Sequence, residues 1–100
     1  MADVEIRNNE GEHRYEAYVD GEQAGFAAYR LTGDTIVFTH TEVDDRFEGQ
    51  GVGSTLARGA LDDVRANSSR RVQPLCPFIR SWIDEHPDYA DLVRVPAAKD

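Results

Sequence analysis

The sequence predicts an α/β domain of the α+β kind: a twisted, mostly antiparallel five-stranded sheet with one parallel crossover and two helices, in the order β-β-β-β-α-β-α. Three observations carry this. Apolar residues alternate with polar ones through residues 1–43, which is the period of a strand. The period changes to that of a helix after the glycines at 49, 51 and 53. The turns between the first four strands are short, and short turns force antiparallel neighbours.

Each element follows in turn. Val4 and Ile6 alternate with Asp3, Glu5 and Arg7, and Asn8-Asn9-Glu10-Gly11 is a turn. Tyr15, Ala17 and Val19 alternate with Arg14, Glu16 and Tyr18; Asp20-Gly21 is a two-residue hairpin signal. Ala24 to Leu31 places Ala27, Tyr29 and Leu31 on one face, before Thr32-Gly33-Asp34 turns the chain again. Thr35 to Val43 is apolar on both faces through Ile36, Val37 and Phe38, as a central strand is. Val52, Leu56, Ala60 and Val64 recur every four residues with Ala57 and Leu61 beside them, one apolar helix face. Arg58, Asp62 and Arg65 lie on the other face at spacings that allow weak ion pairs. After Asn67-Ser68-Ser69, Arg71 to Cys76 reads as a fifth strand. Pro74 inside it cannot donate a ladder hydrogen bond, so the strand is an edge or diverges there. Pro77 suits the first position of a second helix, with Phe78, Ile79, Trp82 and Ile83 as its apolar face and Pro87 as its stop. Asp88 to Val93 reads as a last helical turn. Strand four, helix and strand five form one right-handed crossover with parallel strands. Residues 1–95 read as a single domain and 96–100 as a frayed tail.

Composition narrows the function. The chain has 100 residues and a formal charge of -8, which argues against nucleic-acid phosphate as a partner and weakly favours a cationic one. No apolar run approaches the roughly 20 residues of a membrane span. The opening Met1-Ala2-Asp3-Val4-Glu5 has neither the basic nor the apolar part of a signal peptide. Cys76 is the single cysteine, so no internal disulfide forms and the expected compartment is the cytoplasm. His13, His40, His86 and Cys76 are scattered without ligand spacing, so no metal site is expected. The expected assembly is a monomer or a weak homodimer through the exposed edge of strand one.

The informative segment is Glu48-Gly49-Gln50-Gly51-Val52-Gly53-Ser54-Thr55, between a strand and a helix. Three glycines let the backbone adopt positive φ and approach a ligand, and free amides at a helix start suit phosphate or pyrophosphate. Ser54 and Thr55 add hydroxyl donors. A Walker loop is excluded, because no lysine ends the segment. A dinucleotide fold is excluded too. Asp44-Asp45-Arg46-Phe47-Glu48 separates the glycines from the strand, and Arg71-Val72-Gln73-Pro74-Leu75 offers no acid for a ribose. The bland alternative is a glycine turn that packs a helix tightly on a sheet.

Glu48-Gly49-Gln50-Gly51-Val52-Gly53 resembles the coenzyme A pyrophosphate loop of the GCN5-related N-acetyltransferases, Gln/Arg-x-x-Gly-x-Gly/Ala, with Glu48 at the Gln/Arg position. Together with His40-Thr41-Glu42-Val43, Pro74-Leu75-Cys76-Pro77-Phe78 and His86-Pro87-Asp88-Tyr89-Ala90-Asp91-Leu92, it resembles the miniature, stand-alone branch of that superfamily, over nearly the whole chain. The resemblance implies the acyl-CoA N-acyltransferase fold, with acetyl-CoA or CoA as co-substrate and an amine acceptor such as a lysine side chain or polyamine. It implies pantetheine contacts along the backbone of Glu42, Val43 and Asp44. It places diphosphate contacts on Gln50, Gly51, Val52, Gly53, Ser54 and Thr55, with Phe47, Glu48 and Gly49 before them as further cofactor-binding candidates. Cys76, Pro77 and Arg80 at the start of the last helix are the remaining cofactor-binding candidates. Arg58, Arg65, Arg70 and Arg71 are further candidates for the 3′-phosphate.

Acetyl transfer needs a neutral amine, a donor for the developing oxyanion and an exit for the thiolate. Cys76, just before a helix, reads either as an acyl-carrying nucleophile or as a small buried residue beside the acetyl group. By strict alternation His40 and Glu42 share a face with Phe38, so that His40 could approach Cys76; otherwise His40 or Glu42 takes the amine proton. The resemblance makes Tyr89 a candidate thiolate acid, since a tyrosine near the last helix takes that role in larger relatives. The predicted activity is N-acetyl transfer. The alternative is a CoA-binding module without significant catalysis, acting through protein contacts.

Overall fold

In the computed structural model, which describes residues 3–93, one five-stranded sheet runs in the order β1-β2-β3-β4-β5. The strands are β1 (Val4–Asn9), β2 (Arg14–Val19), β3 (Glu22–Thr32), β4 (Thr35–Val43) and β5 (Arg71–Pro74). Asp20 and Gly21 both take positive φ, 51° and 83°, which is the two-residue hairpin geometry whose twist matches the flanking strands. The first four strands are therefore an antiparallel meander, and β4 pairs with β5 in parallel across α1 (Val52–Asn67). The second helix, α2 (Pro77–Glu85), follows β5. Short 3₁₀ turns occupy Asp45–Phe47 and Pro87–Leu92. The expected frayed tail, 96–100, lies outside the described residues. No helix among the described residues is long and apolar enough to cross a membrane.

Both helices pack on one face of the sheet. All six predicted α1 positions, Val52, Leu56, Ala57, Ala60, Leu61 and Val64, are buried there with Tyr15, Ala17, Val19, Ala27, Tyr29, Ile36 and Phe38. Leu31 departs from the expected stripe and is exposed, because β2 pairs only as far as Ala28 and leaves the end of β3 uncovered. Phe78 departs likewise: it is exposed and lies against the backbone of Gly53, while Ile79, Trp82 and Ile83 are buried. Arg58, Asp62 and Arg65 all reach towards the last 3₁₀ turn. Arg58 Nη1 donates to the Tyr89 hydroxyl (3.3 Å), that hydroxyl donates to Asp62 Oδ1 (2.7 Å), and Arg65 pairs with Asp91 (2.9 Å).

The opposite face carries Arg14, Glu16, Tyr18, Phe26, Ala28, His40 and Glu42, and neither described helix packs on it. Glu16 is nevertheless buried under its neighbours, accepting from Arg14 Nε (2.7 Å), the Tyr18 hydroxyl (2.7 Å) and Asn9 Nδ2 (3.1 Å). Burial alone raises its pKa, but the three hydrogen bonds together hold it below the ordinary value of 4.5. A carboxyl depressed on folding contributes stability that is present above its unfolded value and is lost as pH falls through its folded one. Thermal unfolding of Glu16→Gln against wild type should show the variant less stable near neutral pH by about 1–2 kcal/mol and the two curves converging on acidification. Parallel curves at all pH values would contradict this assignment.

Candidate functional site

The site begins where β4 and β5 part. Their register runs Thr35↔Arg71, Ile36↔Val72, Val37↔Gln73 and Phe38↔Pro74, and there it stops. Pro74 has no N–H to continue the ladder. The next two amides, Leu75 and Cys76, both fall on the same Phe38 carbonyl, at 3.0 and 2.9 Å. β5 is thereby spent, while β4 runs on to Val43 with β3 alone as its ladder partner. A gap opens beside β4 at the carboxyl ends of the two parallel strands, the place where open α/β sheets take their ligands.

A bulge decides what faces that gap. On β3, Ala28 pairs with His40 but Tyr29 pairs with Phe38, so Thr39 is an extra residue. One inserted residue exchanges the two faces for everything after it. His40 and Glu42 therefore lie on the uncovered face, opposite to Phe38, and Thr41 turns inward. Thr41 Oγ1 shares a hydrogen bond with Cys76 Sγ (3.2 Å), and Cys76 is only 2% exposed. His40 does not approach Cys76. Its Nε2 lies 2.9 Å from Glu42 Oε2, its ring packs near Phe26 (6.1 Å), and both side chains are about 60% exposed (58% and 62%).

The same insertion sets the backbone. Glu42 O faces Gly25 on β3, since a Cβ there would lie 2.5 Å from it, and the Asp44 amide donates to Ala24 O (2.7 Å). Successive strand residues aim their backbone groups at opposite edges, so those of Thr41 and Val43 face the gap. At Asp44, the last of the expected arm contacts, the carbonyl accepts from Phe47 N (2.9 Å) and the carboxylate accepts from the Arg46 amide (2.9 Å). That amide first, and the Arg46 guanidinium second, hold the Asp44 carboxyl below its ordinary range.

The glycine segment then wraps the mouth of the gap. Phe47 is buried and anchors its start. Glu48, Gly49 and Gln50 are exposed, and Gly49 and Gly51 hold φ of 84° and 77°, the left-handed region that disfavours a side chain. Gly51 is the N-cap of α1, no side chain caps the helix, and its first turn holds no acid. Thr55 is the first residue whose amide bonds back into the helix, to Gly51 O (3.0 Å), so the amides of Val52, Gly53 and Ser54 are left for an outside acceptor. At 53 a Cβ would sit 3.0 Å from Phe78 Cζ, so glycine lets α2 close on the loop. Helix α2 starts at the same end of the sheet, with Cys76 as N-cap and no side-chain capping bond, and with Pro77 and Arg80 exposed. Two positive helix ends thus converge beside one gap, a setting for an anion and an arm leading inward.

Two further placements differ from expectation. Tyr89 is buried against α1, with its pKa raised first by its hydrogen bond to Asp62 and then by desolvation, and it stands away from the gap. Trp82, expected only in the core, donates from Nε1 to Ser54 Oγ (2.9 Å) and so touches the loop. Thr41 and Trp82 were not marked by the sequence. The bulge at Thr39 has no glycine or proline to signal it, and an indole at a buried helical position looks the same whether or not its N–H reaches a loop.

A family model described as GCN5-related N-acetyl-transferase matches residues 14–92. Protein NATD1 of Bos taurus is 37% identical over 60 residues, covering 59% of this chain and 52% of that protein. Protein NATD1 of Homo sapiens is 35% identical over 60 residues, with 59% and 52% covered. The chain spans about half the length of these curated relatives. Among solved structures, a ribosomal-protein-alanine N-acetyltransferase from Brucella melitensis biovar Abortus 2308 aligns with a TM-score of 0.56 and 19% identity, covering 83% of this chain and 61% of that one. At that identity the likeness is one of fold.

Replacing Gly51 by alanine puts a Cβ on a residue at φ 77°. Denaturant unfolding should show a loss of about 1–2 kcal/mol. Unchanged stability would mean that the loop does not need the left-handed residue there.

Proposed function

The chain belongs to the GCN5-related N-acetyltransferase family, and from that premise we propose that it binds acetyl-CoA and transfers the acetyl group to an amine. The single observation that carries the proposal is the junction of the β4–β5 gap with the uncapped start of α1. Bound acetyl-CoA supplies an activated thioester carbonyl. Val52, Gly53 and Ser54 hold its diphosphate through their free amides, with Gly51 shaping the turn. Backbone groups of Val43 and Thr41 line the arm inward. A gap-facing N–H on β4 is placed to donate to the oxygen that gains charge during transfer.

Proton handling is assigned to the uncovered face. The amine attacks only as the free base, whereas a lysine ammonium ordinarily titrates near about 10.4. Glu42, held by His40, is the group of this chain that an arriving amine meets beside β4, and we assign it the proton. Direct transfer is preferred over a Cys76 acyl intermediate for a geometric reason. The partner of Cys76 Sγ is the Thr41 hydroxyl, and no imidazole or carboxylate among the described residues hydrogen-bonds to it. The acceptor class is a primary amine, in keeping with the chain's charge of -8, and the compartment is the cytoplasm, where a lone cysteine stays reduced. A second reading, a CoA-binding module without turnover, is favoured by the same seclusion of Cys76 and by the bare face where an acceptor would need walls.

Calorimetric titration with CoA and acetyl-CoA, followed by thiol release with a panel of primary amines, tests the proposal. Glu42→Gln should lower kcat by about a hundredfold while acetyl-CoA affinity stays within about twofold. Cys76→Ser should keep most of the activity. Loss of all turnover in Cys76→Ser together with an acetylated Cys76 in wild type would replace direct transfer by a two-step route. No binding at millimolar ligand would remove the reading altogether.

A further inference from the structure

We propose that Trp82 is a positioning residue for the diphosphate site, acting through the Ser54 hydroxyl; the inference rests on the reading that the glycine segment binds CoA. The indole is fixed from three sides. The His86 ring stacks on it at 3.8 Å and 12°, Tyr89 meets it edge-on at 5.0 Å, and the Arg58 guanidinium lies 5.3 Å from its centroid. His86 is itself held by a 2.7 Å contact between Nδ1 and the Trp82 carbonyl. From this clamp Nε1 donates to Ser54 Oγ at 2.9 Å, linking α2 to the third residue of α1.

The consequence lies in the inventory of a hydroxyl, which has one proton and two lone pairs. A free serine near a helix start turns its proton to local carbonyls or to water. Here the indole N–H occupies one lone pair of Ser54 Oγ and excludes the rotor position that would turn the proton towards it. The proton is left on the other side of the hydroxyl, for a ligand held at the free amides of Val52, Gly53 and Ser54 to accept. A buried indole N–H needs an acceptor, so the bond is maintained from both ends. The Arg58 guanidinium, one turn further along α1 from Ser54, lies over the same indole ring and helps to hold it in place. Trp82 thereby presets a neutral donor for the diphosphate without itself touching the ligand.

A double-mutant cycle on acetyl-CoA affinity tests this, with Ser54→Ala, Trp82→Phe and the double variant. A donor fixed on an anionic ligand predicts about a tenfold loss for Ser54→Ala and a similar loss for Trp82→Phe. The double variant should lose about tenfold as well, rather than about a hundredfold, because the two residues act through one hydroxyl. Replacing Trp82 by β-(3-benzothienyl)alanine removes only the N–H donor and keeps the packing. It should reproduce the Trp82→Phe loss, and it serves where the phenylalanine variant does not fold. Additive losses, or wild-type affinity in the benzothienyl protein, would overturn the role of Trp82. A wild-type protein that binds no acetyl-CoA would instead overturn the CoA reading on which it rests.

Discussion

The chain's functional geometry depends on one overloaded acceptor. The Phe38 carbonyl takes the amides of both Leu75 and Cys76, because Pro74 cannot supply the ladder bond that would carry β5 forward beside β4. Closing two amides on one oxygen turns the chain out of the sheet within two residues and starts α2 at once. A sheet that continued would bury the edge of β4. This one exposes it between two helix starts.

The bulge at Thr39 converts that opening into a sorted site. Without it, Thr41 would face outward and His40 inward. With it, the buried side of β4 carries Thr41 against Cys76, and the uncovered side carries the His40–Glu42 pair. In the proposed reaction, binding and proton handling are thus separated by the thickness of a strand, with the gap as the passage between them. The two N-termini add a positive end to a chain whose net charge is -8, so the proposed anion site rests on backbone dipoles rather than on a cluster of basic side chains.

The framework was legible because each element stated its period plainly. Tyr15, Ala17 and Val19 alternate, Asp20-Gly21 marks the hairpin, the α1 stripe is unbroken, and Pro74 announces the divergence. The loop was legible as a phosphate-type turn because glycine at positive φ is a backbone requirement visible in sequence. The faces beyond Thr39 were not. A bulge at an ordinary threonine depends on how β3 and β4 settle their register, and one residue of slip reverses every later assignment. The place of Tyr89 was not legible for a related reason: its hydroxyl is drawn to Asp62 on α1, a tertiary contact that no local pattern encodes.

Amide hydrogen exchange resolved by residue, with and without CoA, tests the central claim most directly. The claim predicts fast exchange in the free protein at Thr41, Val43, Val52, Gly53 and Ser54, against slow exchange at buried α1 positions such as Leu56 and Leu61, and protection of the first group when CoA is added. Amides at these five positions that are already protected in the free protein, or CoA binding that protects a different surface and leaves them exchanging, would contradict it.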